Sequence, residues 1–204
     1  MPKIVTKGLW PVLLLTGMVL VGTIFIPTNR AEAYFYPGFK WGVNYMRYEL
    51  NIAGWASHPI HNAKDEWNGA GSPFLFNYLG LTANPVQKDN HNVVTRANRG
   101  NNGILGLTLV WCNGSGYSCY SGRTILEVDV EFNDYYPWGA YGEANLYDLE
   151  SATVHEFGHA LHLGHSSSWC GWPWEASMCN GMALGETRKR SIQGDDSNGI
   201  NYIY

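Results

Sequence analysis

The sequence predicts an α+β domain, because most strand-like segments come first along the chain and the two C-terminal segments favour helices. Up to residue 132, several segments are rich in aromatic and β-branched residues. Beyond that point, one predicted helix carries a histidine-rich motif and a second lies at the C-terminal end. We expect a single domain over residues 34–204, since no linker, repeat or low-complexity tract divides these 171 residues.

The first 33 residues have the features of a cleavable signal peptide. Lys3 and Lys7 form a short basic region, an apolar run extends from Leu9 to Ile26, and Ala31-Glu32-Ala33 supplies a small-x-small cleavage pattern. The alternative is an uncleaved membrane anchor, since the apolar run of 18 residues is just long enough to span a bilayer. Pro and Gly within the run favour cleavage. We therefore expect a secreted protein that starts at Tyr34, without stable membrane association.

The composition of residues 34–204 excludes some partners. This part has 10 Lys and Arg against 16 Asp and Glu, a net charge of −6, and no basic stripe. A mildly acidic surface argues against nucleic acid as a partner. Many Trp, Tyr, Gly and Asn with few charges suit a loop-rich secreted domain, which we expect to be a monomer.

All four cysteines lie in this part, and an exported protein meets oxidising conditions. Of the three possible pairings, Cys112–Cys119 and Cys170–Cys179 are favoured because each closes a short loop rich in Gly and Ser. The alternative, metal ligation, lacks the CxxC spacing of a structural zinc site. We expect two disulfides.

The N-terminal half combines strands with one helix. Lys40–Leu50 is predicted as a strand, His58–Trp67 as a helix from its apolar spacing, and Phe74–Tyr78 as a short strand. Asn84–Asn102 is polar and predicted to be irregular.

Two further strands follow. Ile104–Trp111 is nearly continuous in apolar residues, as a buried strand would be, whereas Thr124–Phe132 alternates strictly between apolar and polar residues. The alternation predicts one packed face and one solvated face, with Glu127, Asp129 and Glu131 on the solvated face. A calcium site on these carboxylates is a second possibility that the sequence does not favour.

The C-terminal part contains the helix with the histidine motif. Negative charges at Asp148–Glu150 suit the N-terminus of that helix. Residues 166–185 show no periodicity. A final helix is predicted over Thr187–Tyr204, with a break around Gly194.

The motif His155-Glu156-Phe157-Gly158-His159 predicts a metal site. Histidines four residues apart lie on one face of a helix, so both imidazoles can bind a single ion. Glu156 lies about a quarter turn away, where a carboxylate can take a proton from metal-bound water. Zinc is the usual occupant of such a site.

A third histidine raises the specificity of this pattern. His165 follows His159 by six residues, which is the spacing of the metzincin motif HExxHxxGxxH. The chain resembles the matrixin branch most closely, the family of the matrix metalloproteinases and their bacterial relatives, because Phe157-Gly158 and His165-Ser166 also fit it.

More distant segments support the same resemblance. Asp129–Asn133 followed by Trp138 looks like the strand and tryptophan that precede the active-site helix in matrixins, and Asp195–Ile200 looks like their C-terminal helix. Met178 is placed like the methionine of the turn beneath the zinc. The resemblance implies a mixed, mostly parallel twisted sheet with an active-site helix and a C-terminal helix. It also implies one catalytic zinc on His155, His159 and His165, with Met178 as a hydrophobic floor.

One residue departs from the family pattern, since His162 stands where matrixins have glycine. Histidine tolerates a positive φ better than most residues, at a cost of roughly 1 kcal/mol. We expect His162 to form the bend that brings His165 back. The alternative is a continued helix in which His162 binds the metal. His155 and His162 would then be about 10 Å apart along the axis, which suits a tetrahedral site poorly.

The resemblance implies a secreted metalloendopeptidase whose partner is a protein or peptide substrate. Glu156 would be the catalytic base that assists attack by zinc-bound water, and an extended substrate would pair with an edge strand. Inhibition by a propeptide cysteine is not expected, because no PRCGxPD-like segment precedes residue 34. A narrower peptidase and a zinc-containing binding module are the other hypotheses. Glu156 argues against the module, since a structural site has no need of a base.

Overall fold

The computed structural model describes residues 35–52, 54–113, 119, 122–166, 170–171 and 175–204. The predicted signal peptide, residues 1–33, lies outside these ranges. Within them, no helix has both the length and the apolar character needed to cross a membrane.

A mixed, mostly parallel sheet forms the framework of the domain. Five of its strands run parallel in the order β1-β6-β4-β2-β3, and β5 pairs antiparallel with β6. A small parallel pair, β7 and β8, precedes the second helix. The strands are β1 Lys40–Trp41, β2 Tyr45–Asn51, β3 Leu75–Leu81, β4 Val93–Ala97, β5 Gly106–Cys112, β6 Thr124–Asn133, β7 Trp138–Gly139 and β8 Tyr147–Asp148.

Within the described ranges, three α-helices accompany the sheet: α1 Ser57–Asn68, α2 Leu149–Ala160 and α3 Gly194–Ile203. Their buried residues and one face of the sheet form the hydrophobic core. Tyr48 of β2 packs edge-on against Phe157 of α2, with ring centroids 5.4 Å apart. The predicted α+β class, mostly parallel sheet and two C-terminal helices are therefore confirmed.

Several predicted strands differ in detail. Lys40–Leu50 is divided into β1 and β2 by bends, and the polar segment predicted to be irregular contains β4, an inner strand of the sheet. Ile104–Trp111 was expected to be buried, yet β5 is an edge strand whose Leu107 is 42% exposed. The apolar side chains of β5 therefore face a cleft as well as the core.

The solvated face predicted for β6 is wrong. Glu127, Asp129 and Glu131 are all buried. Asp129 accepts hydrogen bonds from the Val93 N–H group (2.7 Å) and the Gln87 N–H group (3.0 Å), so it fixes the segment that leads into β4. Burial raises the pKa of Asp129 to about 7. Glu127 likewise accepts from the Asp89 and Asn90 N–H groups, whereas Glu131 binds the Arg99 guanidinium group.

Candidate metal centre

The N-terminus of α2 is fixed by charge. Asp148 caps the helix by accepting a hydrogen bond of 2.8 Å from the Ser151 N–H group. Arg190 binds both oxygens of the Asp148 carboxylate, at 3.0 and 2.6 Å. The predicted start of this helix is therefore correct to within a residue.

Two tryptophans hold the helix, one at its middle and one at its C-terminal end. The Trp67 indole N–H donates to the Val154 carbonyl (2.8 Å), and the Trp41 indole N–H donates to the Ala160 carbonyl (2.9 Å). Both bonds are buried, so the rotation of α2 about its axis is fixed relative to α1 and β1. Position and rotation together decide where His155 and His159 point.

The chain leaves the helix through His162. This residue has φ 72°, and its ring lies against Phe39. The predicted bend is confirmed, and the continued helix is wrong because α2 ends at Ala160. After the bend, the Gly164 N–H group donates to the Phe35 carbonyl (2.7 Å).

Three imidazoles converge beyond this bend. The Nε2 atoms of His155, His159 and His165 lie 3.1 to 3.2 Å from one another. In the described part of the chain, these three residues are the group able to hold a metal ion. Tetrahedral zinc with Zn–N distances of about 2.0–2.1 Å needs donor atoms about 3.3 Å apart. The donor set therefore fits zinc in both chemistry and spacing.

Backbone carbonyls orient two of these rings. The Nδ1–H group of His155 donates to the Ser177 carbonyl, and that of His159 donates to the Leu163 carbonyl, both at 2.7 Å. Each bond keeps the proton on Nδ1 and leaves the Nε2 lone pair for a ligand. Burial lowers the pKa of His155 to about 3 and that of His159 to about 4, so both rings are neutral at pH 7.

Met178 lies directly beneath the helix. A side chain at Gly158 would place its Cβ 2.1 Å from the Met178 sulfur, so glycine is what permits this close approach. Met178 is completely buried. The turn that carries it is held by Asp196, whose carboxylate accepts from the Ser177 and Met178 N–H groups.

Glu156 lines the same cavity as the triad and lies against β5. Its carboxylate is almost completely buried, and burial raises its pKa to about 7. The Thr108 hydroxyl donates to Glu156 Oε2 at 2.6 Å, and this hydrogen bond lowers the pKa, although by less than burial raises it. A buried carboxylate beside three neutral imidazoles is an arrangement suited to proton transfer.

Part of the chain is similar in sequence to known metallopeptidases. Residues 113–204 match the Matrixin family of peptidases. This C-terminal part of the chain is similar to the matrixins. The chain is also 34% identical over 95 residues to the metalloendoproteinase 2-MMP of Arabidopsis thaliana, an alignment that covers 43% of this chain. The chain spans 22% of the length of that relative.

Cys119, Cys170 and Cys179 lie within the matched region, and Cys112 directly precedes it. Cys112–Cys119 follows the end of β5, and Cys170–Cys179 joins the segment after His165 to the turn after Met178. Both pairs are those predicted from the short loops. The second pair lies beside the metal centre, because the Ser166 N–H group also donates to the Met178 carbonyl (2.9 Å).

A cavity of about 690 Å³ runs past the triad along β5. Much of its lining is apolar, and it includes Phe35, Ile104, Leu107, Val110 and Met182. In the described sheet, β5 pairs with β6 on one side only, so its other edge borders this cavity.

The sequence did not predict three residues of the candidate site. Thr108 and Gly106 contact Glu156 from β5, and the ammonium group of buried Lys189 donates to the Cys179 and Gly181 carbonyls. The alternation of side chains along β5 placed Gly106 and Thr108 on one face. Nothing in the sequence placed that face over Glu156, which lies 48 residues from Thr108.

Proposed function

We propose that this matrixin-like domain is a secreted zinc-dependent endopeptidase. The observation that carries the proposal is the convergence of three imidazole Nε2 atoms beside Glu156, in a cleft bordered by the free edge of a strand. The match to the Matrixin family and the similarity to a plant metalloendoproteinase support it.

His155, His159 and His165 would hold the zinc ion. When bound to three imidazoles, zinc lowers the pKa of a water molecule and polarises a carbonyl group. The Nδ1 bonds to Ser177 and Leu163 hold the His155 and His159 rings in the tautomer that such binding needs.

Glu156 would move the proton. One carboxylate oxygen accepts a proton from the attacking water, and the same carboxyl group then donates it to the departing amine. A pKa of about 7 suits both steps, since the group can gain and lose a proton near neutral pH. No covalent bond between this chain and the substrate is required.

The substrate would bind as an extended peptide along β5. The unpaired N–H and C=O groups at the edge of a sheet can pair with a further strand, and on β5 this edge borders the cavity. The apolar lining favours substrates with apolar side chains near the cleaved bond.

Cleavage of casein or gelatin by the exported protein tests this proposal. We expect activity that a chelator abolishes and zinc restores. Glu156→Gln should lower the rate at least about 100-fold with zinc retained, because general acid–base catalysis contributes that much or more. Equal rates for parent and Glu156→Gln would overturn the proposed role. Zinc retention without cleavage of any peptide would indicate a binding module instead.

Metal analysis of two single variants tests the ligand set. We expect His165→Ala to lose zinc and His162→Ala to retain it. The opposite result would make His162 the third ligand. N-terminal sequencing of the exported protein tests the cleavage site, with Tyr34 as the expected first residue.

A further inference from the structure

We propose that Thr108 is a positioning residue that orients the carboxylate of Glu156 through its hydroxyl group. This inference rests on the proposed function, in which Glu156 is the base. In this proposal β5, the strand that borders the cleft, determines the orientation of the Glu156 carboxylate.

The contact itself is short and charge-assisted. Thr108 Oγ1 lies 2.6 Å from Glu156 Oε2 and 3.1 Å from the Glu156 carbonyl oxygen. A hydroxyl group has one proton to donate, and an ionised carboxylate is the stronger acceptor. The carboxylate is therefore the main partner of this hydroxyl.

Gly106 completes the contact from the same strand. Residues 106 and 108 lie on one face of β5, because alternate residues of a strand share a face. A Cβ atom at Gly106 would lie 2.6 Å from Glu156 Oε1. One carboxylate oxygen therefore lies over Gly106 while the other is bound by Thr108, and β5 fixes both oxygens.

The consequence for catalysis is that one strand, β5, positions both the substrate and the base. An extended peptide paired with the edge of β5 takes its register from that strand, and Glu156 takes its orientation from the same strand. The hydroxyl proton stays on Thr108 throughout, so the residue positions the base without exchanging a proton with substrate.

Steady-state kinetics of three variants test the inference. Thr108→Val keeps the shape and removes the donor, Thr108→Ser keeps the donor, and Thr95→Val is the matched control. Thr95 lies on β4, where its hydroxyl group contacts the Asn51 carbonyl oxygen at 3.4 Å. We expect Thr108→Val to lower kcat roughly tenfold with KM nearly unchanged, and Thr108→Ser to restore most of kcat. Full activity in Thr108→Val, or equal losses in the Ser and Val variants, would overturn the inference.

A double-mutant cycle supplies a second readout that needs neither activity nor zinc. Urea unfolding is measured in chelator for the exported parent, Thr108→Val, Glu156→Ala and the double variant. We expect Thr108→Val to lower the unfolding midpoint in the parent and to have little effect in the Glu156→Ala background. Equal shifts in both backgrounds would overturn the contact. Thr108→Ala takes the place of the Val variant if that variant does not fold.

The two measurements separate this inference from the proposed function. Coupling in the cycle without peptide cleavage by the parent would reject the peptidase and leave the contact intact. Cleavage by the parent with no difference between the Ser and Val variants would retain the peptidase and reject the role of Thr108.

Discussion

The Asp196 carboxylate accepts a hydrogen bond of 2.8 Å from the Ser177 N–H group, and this bond connects the C-terminal helix to the metal centre. The Ser177 carbonyl in turn accepts from His155 Nδ1 at 2.7 Å. Two hydrogen bonds therefore separate α3 from the face of α2 that carries His155 and His159. Asp196 is completely buried and also caps α3 by accepting from the Gln193 N–H group.

Asp196→Ala is expected to weaken both folding and metal binding. The change leaves three N–H groups without their charged acceptor, which should lower the free energy of unfolding by roughly 3 kcal/mol. Zinc affinity should fall about 10- to 100-fold, because His155 loses its oriented partner. Urea unfolding and chelator competition measure the two effects. Asp134→Ala, which removes an exposed ion pair with Arg96, is the control and should cost less than about 1 kcal/mol. Unchanged zinc affinity in Asp196→Ala would contradict the connection.

Gly158→Ala is expected to destabilise the protein through Met178. The new Cβ atom would lie 2.1 Å from the sulfur, so Met178 must move out of a filled space. Overpacking of this kind costs about 1–3 kcal/mol, more than the gain in helix propensity. Thermal unfolding of the single variants and of Gly158→Ala/Met178→Ala should show strong non-additivity. Gly194→Ala, where the new Cβ atom meets open space, is the matched control and should leave stability nearly unchanged. Additive effects would show that the two side chains do not compete.

Removing one disulfide or the other should have different effects on zinc binding. Each pair closes a loop of under ten residues, so each double Cys→Ala variant should lose about 2.5 kcal/mol of unfolding free energy. Cys170→Ala/Cys179→Ala should also weaken zinc binding, because Cys179 follows Met178 directly. Cys112→Ala/Cys119→Ala should bind zinc like the parent. Chelator competition distinguishes the two, and equal affinities would mean that the metal centre is held without Cys170–Cys179.

The sequence predicted those features that depend on neighbouring residues. The start of α2 follows from the charge of Asp148, and the bend at His162 follows from the spacing of the histidines. The disulfide pairs follow from short loops. In each case the cause lies within about ten residues of the effect.

Features that depend on distant segments could not be predicted in the same way. The alternation in β6 correctly separated its two faces, but the burial of Asp129 depends on backbone N–H groups of Gln87 and Val93. β4 is a strand of only five residues within a polar segment, and its pairing with β2 and β6 holds it in the sheet. The contact between Thr108 and Glu156 depends on the packing of β5 against α2, which the local sequence does not specify.

Burial of neutral His162 should make the free energy of unfolding depend on pH. Burial lowers the pKa of His162 to about 3, and its Nε2 atom is buried with no hydrogen-bond partner among the described residues. The unfolded chain keeps a pKa near 6.5 and therefore binds more protons than the folded chain below that pH. The folded protein should lose about 1.4 kcal/mol per pH unit from this residue as the pH falls below 6.5.

His162→Asn isolates this effect, because asparagine also tolerates a positive φ but does not titrate. At pH 7.5 the variant should differ from the parent by the loss of packing against Phe39 and Tyr36. Between pH 7.5 and 5.0, the parent should lose about 2 kcal/mol more unfolding free energy than the variant. Urea unfolding in chelator at the two pH values measures the difference. A parallel decline in both proteins would show that His162 does not titrate between these pH values, or does so equally in the folded and unfolded states.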